Sequence, residues 1–181
     1  MKAAEGKQVY LRPITLEDTM YIVSWRNSDE VRPYFVYQEP FTKESHERWL
    51  ENMIFSGKGY QFIVCDNETD EPVGSTYLRD YDKENNVAEF GIFLSGNRVK
   101  GKGIGKEATW LTLKYAFETV GMHKVFCRIF SDNIASQKAL FGAGFVKEAH
   151  FKDMVKVNGE YRDMVFGGLL ETEWKENNDG K

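Results

Sequence analysis

Apolar and polar positions alternate in VYLRPI (residues 9–14), the pattern of a strand with one face on a core, and Pro13 ends it. The period then lengthens. TLEDTMYIVSWRN (residues 15–27) reads as a helix with Thr15 as its N-cap and Asp18 three positions on. A second helix follows in TKESHERWLENMIF, capped by Thr42, with His46, Trp49, Leu50 and Met53 on one face. YQFIVCD and PVGSTYLRD are strands on either side of the turn-rich NETDE, and NVAEFGIFL is a fourth strand. Ile104, Ala108, Leu111 and Tyr115 then make a helical stripe. HKVFCRIF reads as a buried fifth strand, and NIASQKALFGAG as a short helix capped by Asn133 and stopped by glycines. FVKEAHFKDMVKV and EYRDMVFGGLL flank Asn158-Gly159, a strong hairpin signal. The pattern predicts one α/β (α+β) domain over residues 8–171, with a mixed sheet of about seven strands and about four helices. Residues 172–181, ending in KENNDGK, are expected to be a disordered tail.

Composition narrows the class. A chain of 181 residues is long enough to bury its own core. Its net charge of −4 argues against a nucleic-acid partner. Cys65 and Cys127 sit in apolar runs without metal-ligand spacing, so they read as buried, reduced thiols of a cytoplasmic protein with no metal. No apolar run approaches the ~20 residues of a membrane span, and nothing resembles a signal peptide.

Against that acidic background, NRVKGKGIGKEA (residues 97–108) stands out: three alternating glycines among Arg98, Lys100, Lys102 and Lys106, where a helix begins. The first amides of a helix have no internal partner, and the helix dipole adds positive charge there. Glycines let backbone N–H groups approach an anion without interference from Cβ. A pyrophosphate-bearing ligand fits this chemistry. A Walker loop is excluded, because Lys100 stands where its first glycine belongs and Glu107 follows the lysine. A Rossmann fingerprint is excluded too, because Lys106 occupies its third glycine position.

The same stretch resembles the acetyl-CoA loop of the GNAT family of N-acetyltransferases, with its [Q/R]-x-x-G-x-[G/A] signature. Either Lys100, Gly103 and Gly105 or Arg98, Gly101 and Gly103 fill that pattern. The resemblance extends over about residues 9–170. VYLRPITLEDTMYIVSWRN looks like the opening of the ribosomal-protein alanine N-acetyltransferase subgroup, AEFGIFL like the family's fourth strand, and DNIASQKALFGAGF like the subgroup's later helix. It implies a single GNAT-like domain whose strands four and five splay apart, with acetyl-CoA as cosubstrate. Arg98, Val99, Lys100, Gly101, Lys102, Gly103, Ile104 and Gly105 would then hold the pyrophosphate. The backbone of Ile92, Phe93 and Leu94 would pair with the pantetheine arm, and Asn133 and Ser136 would lie near the thiol.

In many family members a tyrosine in the later helix protonates the departing thiolate, but Leu140 holds the matching position here. Ser136 or water is left for that task. Transfer needs a neutral amine, whereas an alkylammonium has a pKa of about 10.4 and an α-ammonium about 8. Glu89, beside the thioester in the family's arrangement, is the first base candidate, acting through a water; His46 is the second. The acceptor is expected to be a primary amine: a protein N-terminus first, an aminosugar nucleotide or a polyamine next. A monomer or homodimer without nucleic-acid or membrane partners is expected. A catalytically silent acyl-CoA sensor is the alternative.

Overall fold

The structure, a computed structural model, describes residues 1–95 and 101–178. Eight strands form one sheet in the spatial order β1 (Ala4–Glu5), β2 (Val9–Pro13), β3 (Tyr60–Asp66), β4 (Pro72–Asp82), β5 (Val87–Leu94), β6 (Lys124–Phe130), β8 (Glu160–Leu170) and β7 (Val146–Val157). Neighbours are antiparallel except β5 and β6, which run parallel. The strand beyond the expected seven is β1, a two-residue edge on β2, too short to leave a period in the sequence. At Asn158 and Gly159 φ is 51° and 91°, the left-handed pair that a two-residue hairpin needs between β7 and β8.

Among the described residues five α-helices cover the sheet: α1 (Thr19–Asn27), α2 (Lys43–Trp49), α3 (Ile104–Lys114), α4 (Ile134–Gly142) and α5 (Glu171–Asn178). Asp18 fixes the entry to α1. Its carboxylate accepts the Thr15 amide at 2.9 Å and the Arg12 guanidinium at 2.6 and 2.8 Å, tying the end of β2 to the helix start. Thr42 caps α2 as expected, accepting from the Ser45 amide at 3.1 Å while Ser45 Oγ accepts from the Thr42 amide.

Alternation along the strands sorts side chains to two faces. On the front, Tyr10, Ile63, Cys65 and Phe93 pack with Ile22 and Trp25 of α1 and with Leu50. On the back, Val9, Leu11, Phe62 and Val64 receive Ile104, Ala108 and Leu111 of α3. The back core continues through Ala88, Phe90, Val125 and Cys127 to Phe117 and Leu140.

The expected disordered tail is corrected: Glu171–Asn178 is α5, and residues 179–181 lie outside the described part. One aromatic anchors it. Trp174, 3% exposed, lies 5.7 Å from Trp110 and 5.6 Å from Phe117, and its indole N–H donates to Glu118. Residues 28–41, without a predicted element, also acquire structure. A 3₁₀ turn at Arg32–Tyr34 precedes Phe41, which exchanges two hydrogen bonds with the Asn27 amide at 2.7 and 2.8 Å. Arg162 of β8 reaches the Pro33 carbonyl and ion-pairs with Asp132, so this loop stands fixed against the front of the sheet.

Candidate active site

β5 and β6 share only three parallel pairs, Val87 with Lys124, Ala88 with Val125 and Glu89 with Phe126. Beyond Glu89 they diverge, and residues 90–94 keep their partners on β4 alone. A cleft of about 1170 Å³ passes through the gap. The start of α3 and part of α4 line its back, and the 31–41 loop and the strand side chains line its front.

At the back, Gly101 and Gly103 have φ of 77° and 80°, and Gly103 is the N-cap of α3. Both conformations are strained for any residue with a Cβ. Gly101, Gly103, Gly105 and Lys106 face the cleft, beside the first amides of α3, which have no partner within the helix. Glu107, in the same turn, is drawn away: it accepts from the backbone N–H groups of Lys7 and Gln8. The Ile104 side chain is core, packed with the β2 and β3 residues, so only its backbone is offered. Lys102 is exposed and does not line the cleft. Arg98, Val99 and Lys100 lie outside the described residues.

Further in, Ile92, Phe93 and Leu94 line the splayed edge. The Phe93 ring is held on the front between Trp25 at 6.3 Å and Phe35 at 5.7 Å. Asn133 caps α4, its Oδ1 accepting the Ser136 amide at 3.1 Å, so Asn133 and Ser136 reach the cleft as one unit. Leu140 faces the same space. So does Cys127, whose thiol is pushed up to about 12 by burial and is a poor nucleophile in that state.

The front is built from side chains. Glu89, 5% exposed, is held by two arginines. Arg79 donates from Nε at 3.1 Å and from Nη2 to both oxygens at 2.9 Å; Arg128 donates from Nε at 3.0 Å and from Nη2 at 2.7 Å. Each carboxylate oxygen is thus met by at least two guanidinium donors, which is the geometry of an anchor for cations. Next to the clamp, the Tyr77 ring lies across Gly91, its cross-strand partner, in space that a Cβ would fill: the phenol oxygen is 2.2 Å from that position.

Arg26 approaches from α1. Its guanidinium carbon lies 3.2 Å from the Phe35 ring centre and 5.1 Å from that of Phe41. Its Nη1 is buried without a hydrogen-bond partner, and burial lowers the pKa of the group to about 10. His46 is 1% exposed, 3.1 Å from Thr19 Oγ1 through Nδ1 and stacked on Trp49. Burial lowers it to about 4, so at neutral pH it is an uncharged imidazole that binds a proton weakly.

Comparison with known proteins decides the family. Residues 8–146 match the Acetyltransferase (GNAT) domain family. The chain belongs to it. As a GNAT protein it is an acyltransferase that takes its acetyl group from acetyl-CoA. The uncharacterised N-acetyltransferase p20 of Bacillus licheniformis is 29% identical to it over 178 residues, 96% of this chain and 99% of that one. The [ribosomal protein uS5]-alanine N-acetyltransferase of Escherichia coli K12 is 25% identical over 163 residues, 83% of this chain and 84% of its own. In fold, spermidine N-acetyltransferase from Vibrio cholerae, solved with CoA and spermine, superposes with a TM-score of 0.85 at 23% identity, covering 93% of this chain and 99% of that one.

The GNAT splay expected between strands four and five is the parting of β5 from β6. Arg26, Tyr37, Trp49 and Tyr77 meet in the cleft. Trp25 is core, and Tyr161 is exposed on β8. Sequence reasoning missed Arg79, Arg128 and Phe35. A usable signal existed for Arg128, a charge between Cys127 and Ile129 in an otherwise apolar strand. Among the described residues no group of side chains suits a metal ion, and no helix is long and apolar enough to cross a membrane.

Proposed function

We propose that this acetyltransferase, acting in the cytoplasm, moves the acetyl group directly from acetyl-CoA to a primary amine, and that a peptide or protein N-terminus is its preferred acceptor. One observation carries the reading: a single cleft joins the glycine-bearing start of α3 to the arginine-lined front of the sheet through the gap between β5 and β6. The pyrophosphate is assigned to residues 98–105 and the pantetheine arm to the free edge at Ile92, Phe93 and Leu94. There the arm would pair as a strand does, and an amide near Phe93 or Leu94 would meet the oxyanion. Asn133 and Ser136 flank the sulfur.

The amine nitrogen attacks the thioester carbon, the C–N bond forms and the C–S bond breaks toward sulfur. The thiolate takes a proton from water or from the Ser136 hydroxyl, a modest demand for a leaving group with a pKa near 8.5. Glu89 is assigned a positioning role in place of the expected base: its guanidinium contacts suit it to orient Arg79 and Arg128 beside the acceptor, and the amine's proton leaves through water. The neutral, enclosed His46 supports the wall of the cleft. The raised thiol of Cys127 favours direct transfer over an acetyl-enzyme.

Support for a peptide over a polyamine comes from the lining. Glu39, Glu44, Glu47 and Glu51, which would attract a polycation, do not line the cleft; of the acids that do, Glu89 is held by Arg79 and Arg128, Asp29 and Glu30 are exposed, and three arginines line it with them. Exposed Tyr34, Val36 and Tyr37 surround its mouth with apolar surface of the kind that holds a peptide chain. The relative from Escherichia coli named for a ribosomal protein's alanine agrees with this ranking, and an aminosugar nucleotide stands second. The test is acetyl-CoA-dependent thiol release with peptides, aminosugar nucleotides and polyamines. Peptides should turn over fastest; robust turnover of spermidine with none on peptides would overturn the ranking.

A further inference from the structure

The cleft holds a cation without a counter-charge. Arg26 Nη1 is buried and makes no hydrogen bond, and among the described residues no carboxylate pairs with its guanidinium. What surrounds Arg26 is apolar or of the same sign: the rings of Phe35 and Phe41, the neutral phenol of Tyr77, and the charge of Arg79. Glu89 does not serve it, because its oxygens are taken by Arg79 and Arg128. Arg79 and Arg128 share that carboxylate, and Arg79 also lies 3.7 Å from Asp80, so among the described residues Arg26 alone of the three arginines is left without one. The other acids of the cleft, Asp29 and Glu30, stand in its exposed rim. An unpaired buried charge is unfavourable, and apolar residues of similar volume fill such sites at lower free energy. An arginine kept there, over an aromatic ring and in the lining of the cleft, is set up to pair with an anion brought by a ligand.

We propose that Arg26, next to Arg79, binds a carboxylate of the acceptor, so that the enzyme selects amines carrying a carboxylate near the reacting nitrogen. This rests on the reading above that an amine is the acceptor. The carboxylate has two sources in a peptide: an acidic side chain after the first residue, or the terminal carboxyl of a very short chain. A polyamine brings only like charge to this place and is selected against.

Initial rates of thiol release on matched acceptors test it. Ala-Asp and Ala-Asn peptides with amidated ends isolate the side-chain source; Ala-Ala and its amide isolate the terminal source. The native protein should prefer the carboxylate member of at least one pair by about 10- to 100-fold in kcat/KM, the range of charge-assisted hydrogen bonds. In Arg26→Gln the preference should fall to within about 2-fold with the KM for acetyl-CoA unchanged, and Arg26→Lys should keep part of it. Equal rates within both pairs, a preference that survives in Arg26→Gln, or a preference for spermidine would overturn the proposal, and the native-protein comparison decides even where a variant fails to fold. Transfer to amines without carboxylate preference removes this inference alone. Absence of transfer to any amine removes it together with the function on which it rests.

Discussion

The two mouths of the cleft are made of different material. At the back, α3 and β5 present backbone: positive-φ glycines, helix-end amides and the free edge of a strand. At the front, α1, β4, β5 and β6 present Arg26, Tyr77, Arg79, Glu89 and Arg128. A backbone surface recognises a ligand by shape and by amide direction, and it survives most substitutions that leave φ and ψ alone. A surface of guanidiniums recognises charge, and one exchange of residue changes what it selects. A family that keeps one cosubstrate and varies its acceptors is served by that division.

The largest effect is expected where a side chain intrudes on the backbone mouth. Gly103→Val forces a β-branched residue to φ of 80°, although its Cβ would meet nothing nearer than 3.9 Å. Acetyl-CoA affinity should fall by at least roughly 10²-fold by calorimetry, since the αL position and the amides it aims are both lost. Far-ultraviolet dichroism should stay native. Unchanged affinity would move the pyrophosphate elsewhere. Lys106→Ala, which keeps the backbone, should cost about 10-fold or less.

Next comes the front. Glu89→Gln leaves two arginines facing each other over a neutral amide. The acceptor kcat/KM should drop by roughly 10-fold or more and the melting temperature by about 5 °C, from the weakened charge-assisted bonds. Acetyl-CoA affinity should hold. The acid limb of the pH–rate profile should keep its midpoint; its disappearance would restore Glu89 as the base.

A smaller effect follows pH. Folded His46 titrates near 4, and the unfolded imidazole near 6.5. The unfolded state therefore binds more protons in that window, and stability falls as pH drops from about 6.5 toward 4. His46→Gln should flatten this part of the curve of melting temperature against pH; an unchanged slope would assign it to other groups. Least of all, Cys127→Ser should leave turnover within about 2-fold, with no acetyl-thioester on the native enzyme by mass spectrometry. A stoichiometric adduct would replace direct transfer.

This contrast also separates what was legible in the sequence. Glycines beside a helix start carry their meaning locally, because φ and a missing Cβ belong to single residues, and the strand periods are equally local. The Arg79–Glu89–Arg128 clamp joins residues from three strands, and sequence spacing holds no record of which strands are neighbours. Glu89 was visible as an acid in a strand; the two cations that alter its chemistry were not visible as its partners. Helix α5 was missed for another reason. Its sequence, ETEWKENN, is polar apart from one tryptophan, and the cavity that receives that tryptophan is built by α3 and the turn after it.

The parting of the strands has a mechanical side. β5 and β6 are two beams joined at one end and parted at the other, β5 held along its outer side by β4 and β6 by β8, and the parted arm, residues 90–94, is about 16 Å long at 3.3 Å per residue. A few degrees of rotation at the pivot become an ångström or more at the tip, where a ligand would need its atoms aligned to fractions of that. The pivot is correspondingly braced. Asn86 accepts the His123 and Lys124 amides at its carbonyl and holds Gly121 and Tyr81 through its side chain, while Glu171 hangs its amide on His123. Glu171 opens α5, which packs Trp174 against Trp110 of α3 and Phe117 of the turn after it. The segment expected to be disordered thus begins beside the three paired residues that join β5 to β6, at the end opposite the gap.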